Sequence, residues 1–197
     1  MIRFSYLHLL IGLAVLAVLL IRFAHQGRGF WYLFSFSVFW VYLLFLVSVI
    51  VFPIVPLPDE IRGTFKPRLN LVPFYFGTCY LLRLCLLNIV GNILLTIPFG
   101  FGISFITPLK PRDFLWLGIA TGLVLEGTQL VVSLAYRSAF RVVDINDVIL
   151  NTIGVLVGYA LFRILGQLYL SLTRRFSITS QPLFAYIYSV VRRSRDY

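Results

Sequence analysis

Three acidic residues lie at the start of, or inside, hydrophobic stretches of the sequence. Their carboxylates are the side chains best suited to acid–base catalysis. Asp144 and Asp147 open a long apolar run, and Glu126 lies well inside an earlier one. Carboxylates at such depths in a bilayer are costly unless they have partners. Carboxylates that share a restricted pocket with amides can hold a proton between them and activate water. We therefore predict Glu126, Asp144 and Asp147 as catalytic residues if the protein is an enzyme.

Amides and arginines accompany these acids at helical spacing. Asp144, Asp147, Asn151, Gly154 and Gly158 follow one another at intervals of three or four residues, so they share one face of a helix. Arginine suits bidentate recognition of phosphate. We predict as substrate-binding residues Asn88, Asn92, Gln129, Arg137, Arg141 and Asn151. Oxygen ligands of this kind also suit Mg²⁺ or Ca²⁺, but no specific metal motif is present, so we predict no metal site and leave the cofactor open.

The elements that position these groups are hydrophobic helices. The chain of 197 residues is 60% hydrophobic and 12% charged, with a mean hydropathy of +0.94, which excludes an ordinary soluble domain. Apolar runs of membrane-spanning length recur. The sequence predicts an all-α, polytopic integral membrane bundle forming a single domain over residues 1–197, with five spans at 4–23, 31–52, 84–106, 114–134 and 144–170.

Three smaller features lie outside the spans or at their edges. Residues 172–197 form a basic tail that fits an interfacial amphipathic helix or a disordered segment. Residues 70–74 form an apolar patch that is too short to cross a membrane and could dip into the interface as a re-entrant segment. Cys79 and Cys85 stand in an apolar context, and we interpret them as two small buried side chains.

Connectivity predicts that the polar groups meet. The third and fifth spans are polar at their starts and the fourth is polar in its second half, so three antiparallel neighbours place these groups at one end of the bundle. We call this predicted site the cup. The loops on the tail's side carry more Lys and Arg than those on the other side. The positive-inside rule therefore predicts an external N-terminus, an internal C-terminus and a cup that faces outward.

The motifs resemble one known family. Asn70-Leu-Val-Pro-Phe74, Asn88-Ile-Val-Gly-Asn92, Glu126-x-x-Gln129 and Arg141-x-x-Asp144-x-x-Asp147-x-x-x-Asn151 resemble the VanZ-like family in order and spacing over residues 70–158. The resemblance implies a small protein of the bacterial cytoplasmic membrane. It also implies a role in the cell envelope, because the founding member is associated with resistance to the antibiotic teicoplanin. The sequence departs from the family at Gly127-Thr128 and in its longer basic tail.

Three functions stay open at this point. The cup could bind or handle a lipid-linked envelope precursor, act as an acid-dependent hydrolase or transferase on a lipid headgroup, or serve only to hold helices together. The net charge of +10 lies in loops and tail, which favours contact with anionic membrane lipids and does not favour nucleic acid.

Overall fold

The hydrophobic runs of the sequence form helices in the computed structural model, which describes residues 1–58, 65–76, 82–138, 142–176 and 182–194. Within these residues, five helices are long and apolar enough to cross a membrane, which confirms the prediction of five spans. The helices are α1 (Tyr6–His25), α2 (Phe30–Val51), α3 (Leu82–Ile106), α4 (Asp113–Tyr136), α5 (Ile145–Phe176) and the short α6 (Pro182–Arg193). Two three-residue strands, β1 (Arg68–Asn70) and β2 (Val142–Asp144), were not predicted.

Glycines set the packing of α5 between α3 and α4. A Cβ on Gly154 would overlap the Thr96 hydroxyl and the Ile93 carbonyl of α3, so the two backbones approach too closely for any side chain there. On the other side, a Cβ on Gly122 of α4 would lie 2.8 Å from the Cα of Val148. Small residues allow such close approach of helices in membranes. The tight contacts make α5 the centre of the bundle and fix its two neighbours, with α3 running parallel and α4 antiparallel to it.

The two N-terminal helices form the outer part of the bundle. The indole nitrogen of Trp40 in α2 donates to the carbonyl of Gly12 in α1 at 2.9 Å. The Tyr42 hydroxyl of α2 donates to the Leu95 carbonyl of α3 at 2.8 Å. These contacts attach α1 to α2 and α2 to the central helices.

The start of α5 differs from the prediction. We expected Asp144 to be the first residue of the fifth span, but the helix begins at Ile145 and Asp144 ends strand β2. The Asp144 carboxylate accepts the backbone N–H of Asn146 at 2.8 Å, which is the role of an N-cap residue. Strand β2 pairs in parallel with β1, and Asn70 stands opposite Asp144. The pairing brings the loop before α3 onto the first turn of α5.

The tail forms the predicted amphipathic helix, and protein covers part of its apolar face. Val190 and Val191 of α6 are buried in a cluster with Phe162 and Leu170 of α5. The Arg163 guanidinium donates to the Ser194 carbonyl at 2.9 Å, which attaches the end of α6 to α5. Over the described residues the tail is therefore a packed part of the bundle and not a disordered segment.

The interpretation of the cysteines as small buried side chains is wrong for Cys85. This residue is half-buried near the start of α3, and it is disulfide-bonded. The second cysteine of the sequence, Cys79, lies outside the described residues. The sequence gives no strong signal for this bond, because two cysteines do not make the framework of several bridges that is typical of disulfide-rich proteins.

Candidate functional site

A cavity of about 980 Å³ opens at the end of the bundle where α3 and α5 begin and α2 and α4 end. Its roof comes from β1, β2 and the segment that follows β1, and its walls come from α2, α3, α4 and α5. The lining residues are Val49, Ile50, Arg68, Leu69, Asn70, Tyr75, Phe76, Leu87, Asn88, Gly91, Asn92, Leu95, Gln129, Val142, Asp144 and Asp147. The volume lies in the range of pockets that hold small molecules or lipid headgroups.

Five of the predicted site residues line this cavity together. They are Asn88, Asn92, Gln129, Asp144 and Asp147, contributed by α3, α4, the end of β2 and α5. Helix α4 runs antiparallel to α3 and α5, so its second half meets the starts of the other two. The polar groups come together in this way, as connectivity predicts.

Glu126, the deepest acid of the sequence, is buried behind the cavity. It is 4% exposed and is not among the lining residues. Its Oε2 accepts the backbone N–H of Asp144 at 2.9 Å. The carboxylate therefore holds the junction between β2 and α5 in place.

Asp144 uses both carboxylate oxygens within the protein. Oδ1 accepts the N–H of Asn146, and Oδ2 accepts the Asn70 side-chain amide at 2.9 Å. The second bond joins residues that are 74 positions apart in the sequence. Asp144 consequently serves as a clamp between the roof and α5, in addition to facing the cavity.

Asp147 is the second carboxylate that lines the cavity. It lies in the first turn of α5, where the helix N-terminus favours negative charge, and it lines the cavity while being only 9% exposed. The Asn88 amide donates to its Oδ1 at 3.2 Å. The Asn92 side-chain amide donates to the backbone carbonyl of Asn88 at 3.1 Å, so the side chains of both asparagines are held beside this acid.

The remaining predicted residues lie away from the cavity or outside the described part of the chain. Asn151 is fully buried one turn below Asp147, and neither atom of its amide has a hydrogen-bond partner among the described residues. Its backbone carbonyl accepts the Thr96 hydroxyl at 2.9 Å. Arg137 is exposed at the left-handed C-cap of α4, and Arg141 lies outside the described residues.

Two asparagines and one arginine were missed. Asn70 lines the cavity, and Asn146 is buried beside it with its Oδ1 accepting the Phe74 N–H at 2.6 Å and its amide donating to the Tyr75 carbonyl at 2.8 Å. Arg68 is the cation among the described lining residues. A signal existed for the cap at Asp144, because an Asp directly before an apolar helical run is typical of a helix N-cap. Nothing in the sequence marked Asn146 or Arg68.

The arrangement can bind an amphipathic molecule. The cavity lining includes carboxylate and amide groups, which accept hydrogen bonds from, or donate them to, hydroxyl, amide or ammonium groups. It also includes aliphatic residues, notably Val49, Ile50 and Leu87. Among the described residues, no group of three His, Cys, Asp or Glu side chains is placed to hold a metal ion.

Comparison with known proteins gives one match. The sequence matches the VanZ/LLP1 family profile over residues 39–166, about two thirds of the chain, and this range includes all the lining residues given above. No curated protein matches the sequence. No solved structure matches the fold.

Proposed function

The chain belongs to the VanZ/LLP1 family of membrane proteins, and from this premise we propose that its cavity binds the headgroup of a cell-envelope lipid. The observation that carries the proposal is the composition of the cavity wall. Asn88, Asn92, Gln129 and Asp147 provide a polar surface, and aliphatic residues of α2 and α3 line the same cavity. A lipid needs both surfaces, since its headgroup makes hydrogen bonds while its chains stay in hydrocarbon.

We further propose that the cavity faces outward. Disulfides persist in oxidising compartments, and Cys85 is disulfide-bonded at the cavity end of α3. The greater number of basic residues on the tail's side favours the same orientation, although Arg83, at the start of α3, adds one cation to the cavity end. An outward cavity meets the leaflet in which envelope precursors are exposed. It agrees with the role in teicoplanin resistance that the family resemblance implies, which we retain as part of the proposal.

Lipid retention tests the binding proposal. Wild-type protein, purified in mild detergent from a bacterial membrane, should keep a polar lipid that native mass spectrometry detects. We expect Asn92→Leu and Gln129→Leu to lose it, because each replaces a lining amide by an apolar side chain. Gln167→Leu is the matched control, since Gln167 is exposed in the second half of α5 and does not line the cavity. Equal retention by all four proteins would refute the proposal.

An acid-dependent hydrolase or transferase is the second candidate. The specific observation in its favour is Asp147, a carboxylate that is nearly buried, faces the cavity and is ordered by the Asn88 amide. Such a group could take a proton from water or a hydroxyl nucleophile. The test is turnover of a panel of lipid-linked sugars and phospholipids, with and without EDTA. Turnover that Asp147→Asn abolishes while lipid retention persists would support an enzyme.

A purely structural role for the acids is the third candidate. Glu126 and Asp144 both bind backbone N–H groups at the junction of β2 and α5. If this were their whole role and the cavity took no ligand, variants of the lining amides would alter stability alone. Thermal unfolding of Asn92→Leu and Gln129→Leu, measured beside lipid retention, separates this outcome from binding.

A further inference from the structure

The segment that follows β1, residues 71–76, presents apolar side chains that the protein leaves uncovered. We call it the tip. Leu71, Val72, Phe74, Tyr75 and Phe76 are all exposed, and Phe74 reaches 76%. The tip lies outside the spanning helices, so its exposure is not that of a lipid-facing helix side chain. Another apolar residue in a loop at the same end is covered, since Ile54 is only 5% exposed.

The tip is nevertheless held in one conformation. Asn70 donates to the Tyr75 carbonyl at 2.8 Å and accepts the Val72 N–H at 3.3 Å, which closes the loop on itself. Asn146 at the start of α5 accepts the Phe74 N–H and donates to the same Tyr75 carbonyl. The two bonds from Asn70 fix the shape of the tip, and the two from Asn146 tie its backbone to the bundle.

One residue of the tip carries backbone strain. Phe74 has a φ of 63°, in the left-handed region that non-glycine residues rarely adopt. Such a conformation is unfavourable for a residue with a side chain and persists only where the surroundings impose it. Here the surroundings fix Phe74 with its ring outside the protein, so the strain is not compensated by packing of that ring in the core.

The position of the tip indicates its partner. It is bonded to the first turn of α5, the level at which the spanning helices begin and the hydrocarbon gives way to headgroups. Aromatic side chains are enriched at that level. Exposed basic residues stand at the same end of the bundle, namely Lys66, Arg68 and Arg83. An apolar segment bordered by cations is the pattern of a surface that inserts at the boundary of an anionic leaflet.

We propose that the tip inserts into the headgroup–acyl boundary of the leaflet on the cavity side and docks the mouth of the cavity against anionic lipid. Tyr75 and Phe76 belong to both surfaces, because they are exposed in the tip and also line the cavity. A lipid that approaches the tip therefore lies next to the opening. The inference does not depend on what the cavity binds or whether it catalyses a reaction.

Spin labels test the depth of the tip. The full chain is reconstituted in vesicles of phosphatidylethanolamine and phosphatidylglycerol, with a nitroxide at Val72→Cys or Phe74→Cys. Both positions are exposed, so the label should not disturb folding, and Cys85 is protected by its disulfide. We measure the accessibility of each label to oxygen, which concentrates in the membrane, and to a water-soluble nickel chelate. The references are Lys66→Cys, outside the tip, and Leu123→Cys on the exposed face of α4.

Insertion predicts an oxygen-to-nickel accessibility ratio at both tip positions severalfold above that of Lys66→Cys and nearer that of Leu123→Cys. Nickel accessibility equal to that of Lys66→Cys would place the tip in water and overturn the proposal. Low accessibility to both reagents would mean that another protein covers the tip, which would overturn it as well. A second label position guards against a single disturbed site.

Discussion

Replacing Glu126 distinguishes a residue that positions the site from one that reacts in it. Glu126→Gln keeps the shape and an acceptor oxygen for the Asp144 N–H but removes the charge. Hydrogen bonds to charged groups contribute about 1.5–3 kcal/mol and neutral ones about 0.5–1.5 kcal/mol, so the loss should be about 1 kcal/mol. Glu126→Ala removes the acceptor altogether, and an unsatisfied buried N–H costs about 1–3 kcal/mol in addition to lost packing.

Thermal unfolding in detergent measures these differences. For a chain of this size, each kcal/mol corresponds to about 2–4 °C in Tm. We expect Glu126→Gln to lower Tm by about 2–4 °C, and Glu126→Ala to lower it by roughly twice that or more. Because Glu126 does not line the cavity, Glu126→Gln should retain the copurified lipid at the wild-type level.

The converse result would refute this reasoning. If Glu126→Gln unfolded at the wild-type temperature but lost lipid retention or turnover, Glu126 would act on the ligand itself, as we predicted from the sequence. Thr128→Val is a suitable control for substitutions in this part of α4. Among the described residues, the Thr128 hydroxyl donates to the Val124 carbonyl of its own helix at 2.7 Å.

Three further predictions follow from packing and connectivity. Gly154→Ala should abolish a monodisperse peak in size-exclusion chromatography because its Cβ would overlap α3, whereas Gly127→Ala, which meets nothing within 4 Å, should be neutral or stabilising; equal behaviour of the two would contradict the packing. Arg163→Met should speed chymotryptic cleavage of the tail by removing the bond to the Ser194 carbonyl, and an unchanged rate would show that α6 stays packed without it. After mild reduction of intact cells, a membrane-impermeant maleimide should label wild-type protein but not a variant without cysteines; labelling only after lysis would reverse the proposed orientation.

The sequence predicted the spans and their polar ends because hydropathy and helical periodicity are local properties. Glu126 on α4 and Asp147 on α5 could be assigned to one end of the bundle without coordinates, since short connections force antiparallel neighbours. The close helix contacts at the glycines 118, 122, 154 and 158 also have a local cause, since a residue without a side chain lets a neighbouring helix approach.

Tertiary structure alone decided which polar groups face the cavity and which support it. Helix α5 begins one residue later than predicted, so Asp144 is a cap and not a helical residue. Hydropathy does not locate a helix start to within one residue. The bond from Asn70 to Asp144 and the use of Glu126 as an acceptor for a backbone N–H depend on the path of a loop between distant segments. The sequence determines that acids and amides gather at one end of the bundle, because burying them in lipid is costly. Their individual roles follow from side-chain reach across elements, which exists only once the chain has folded.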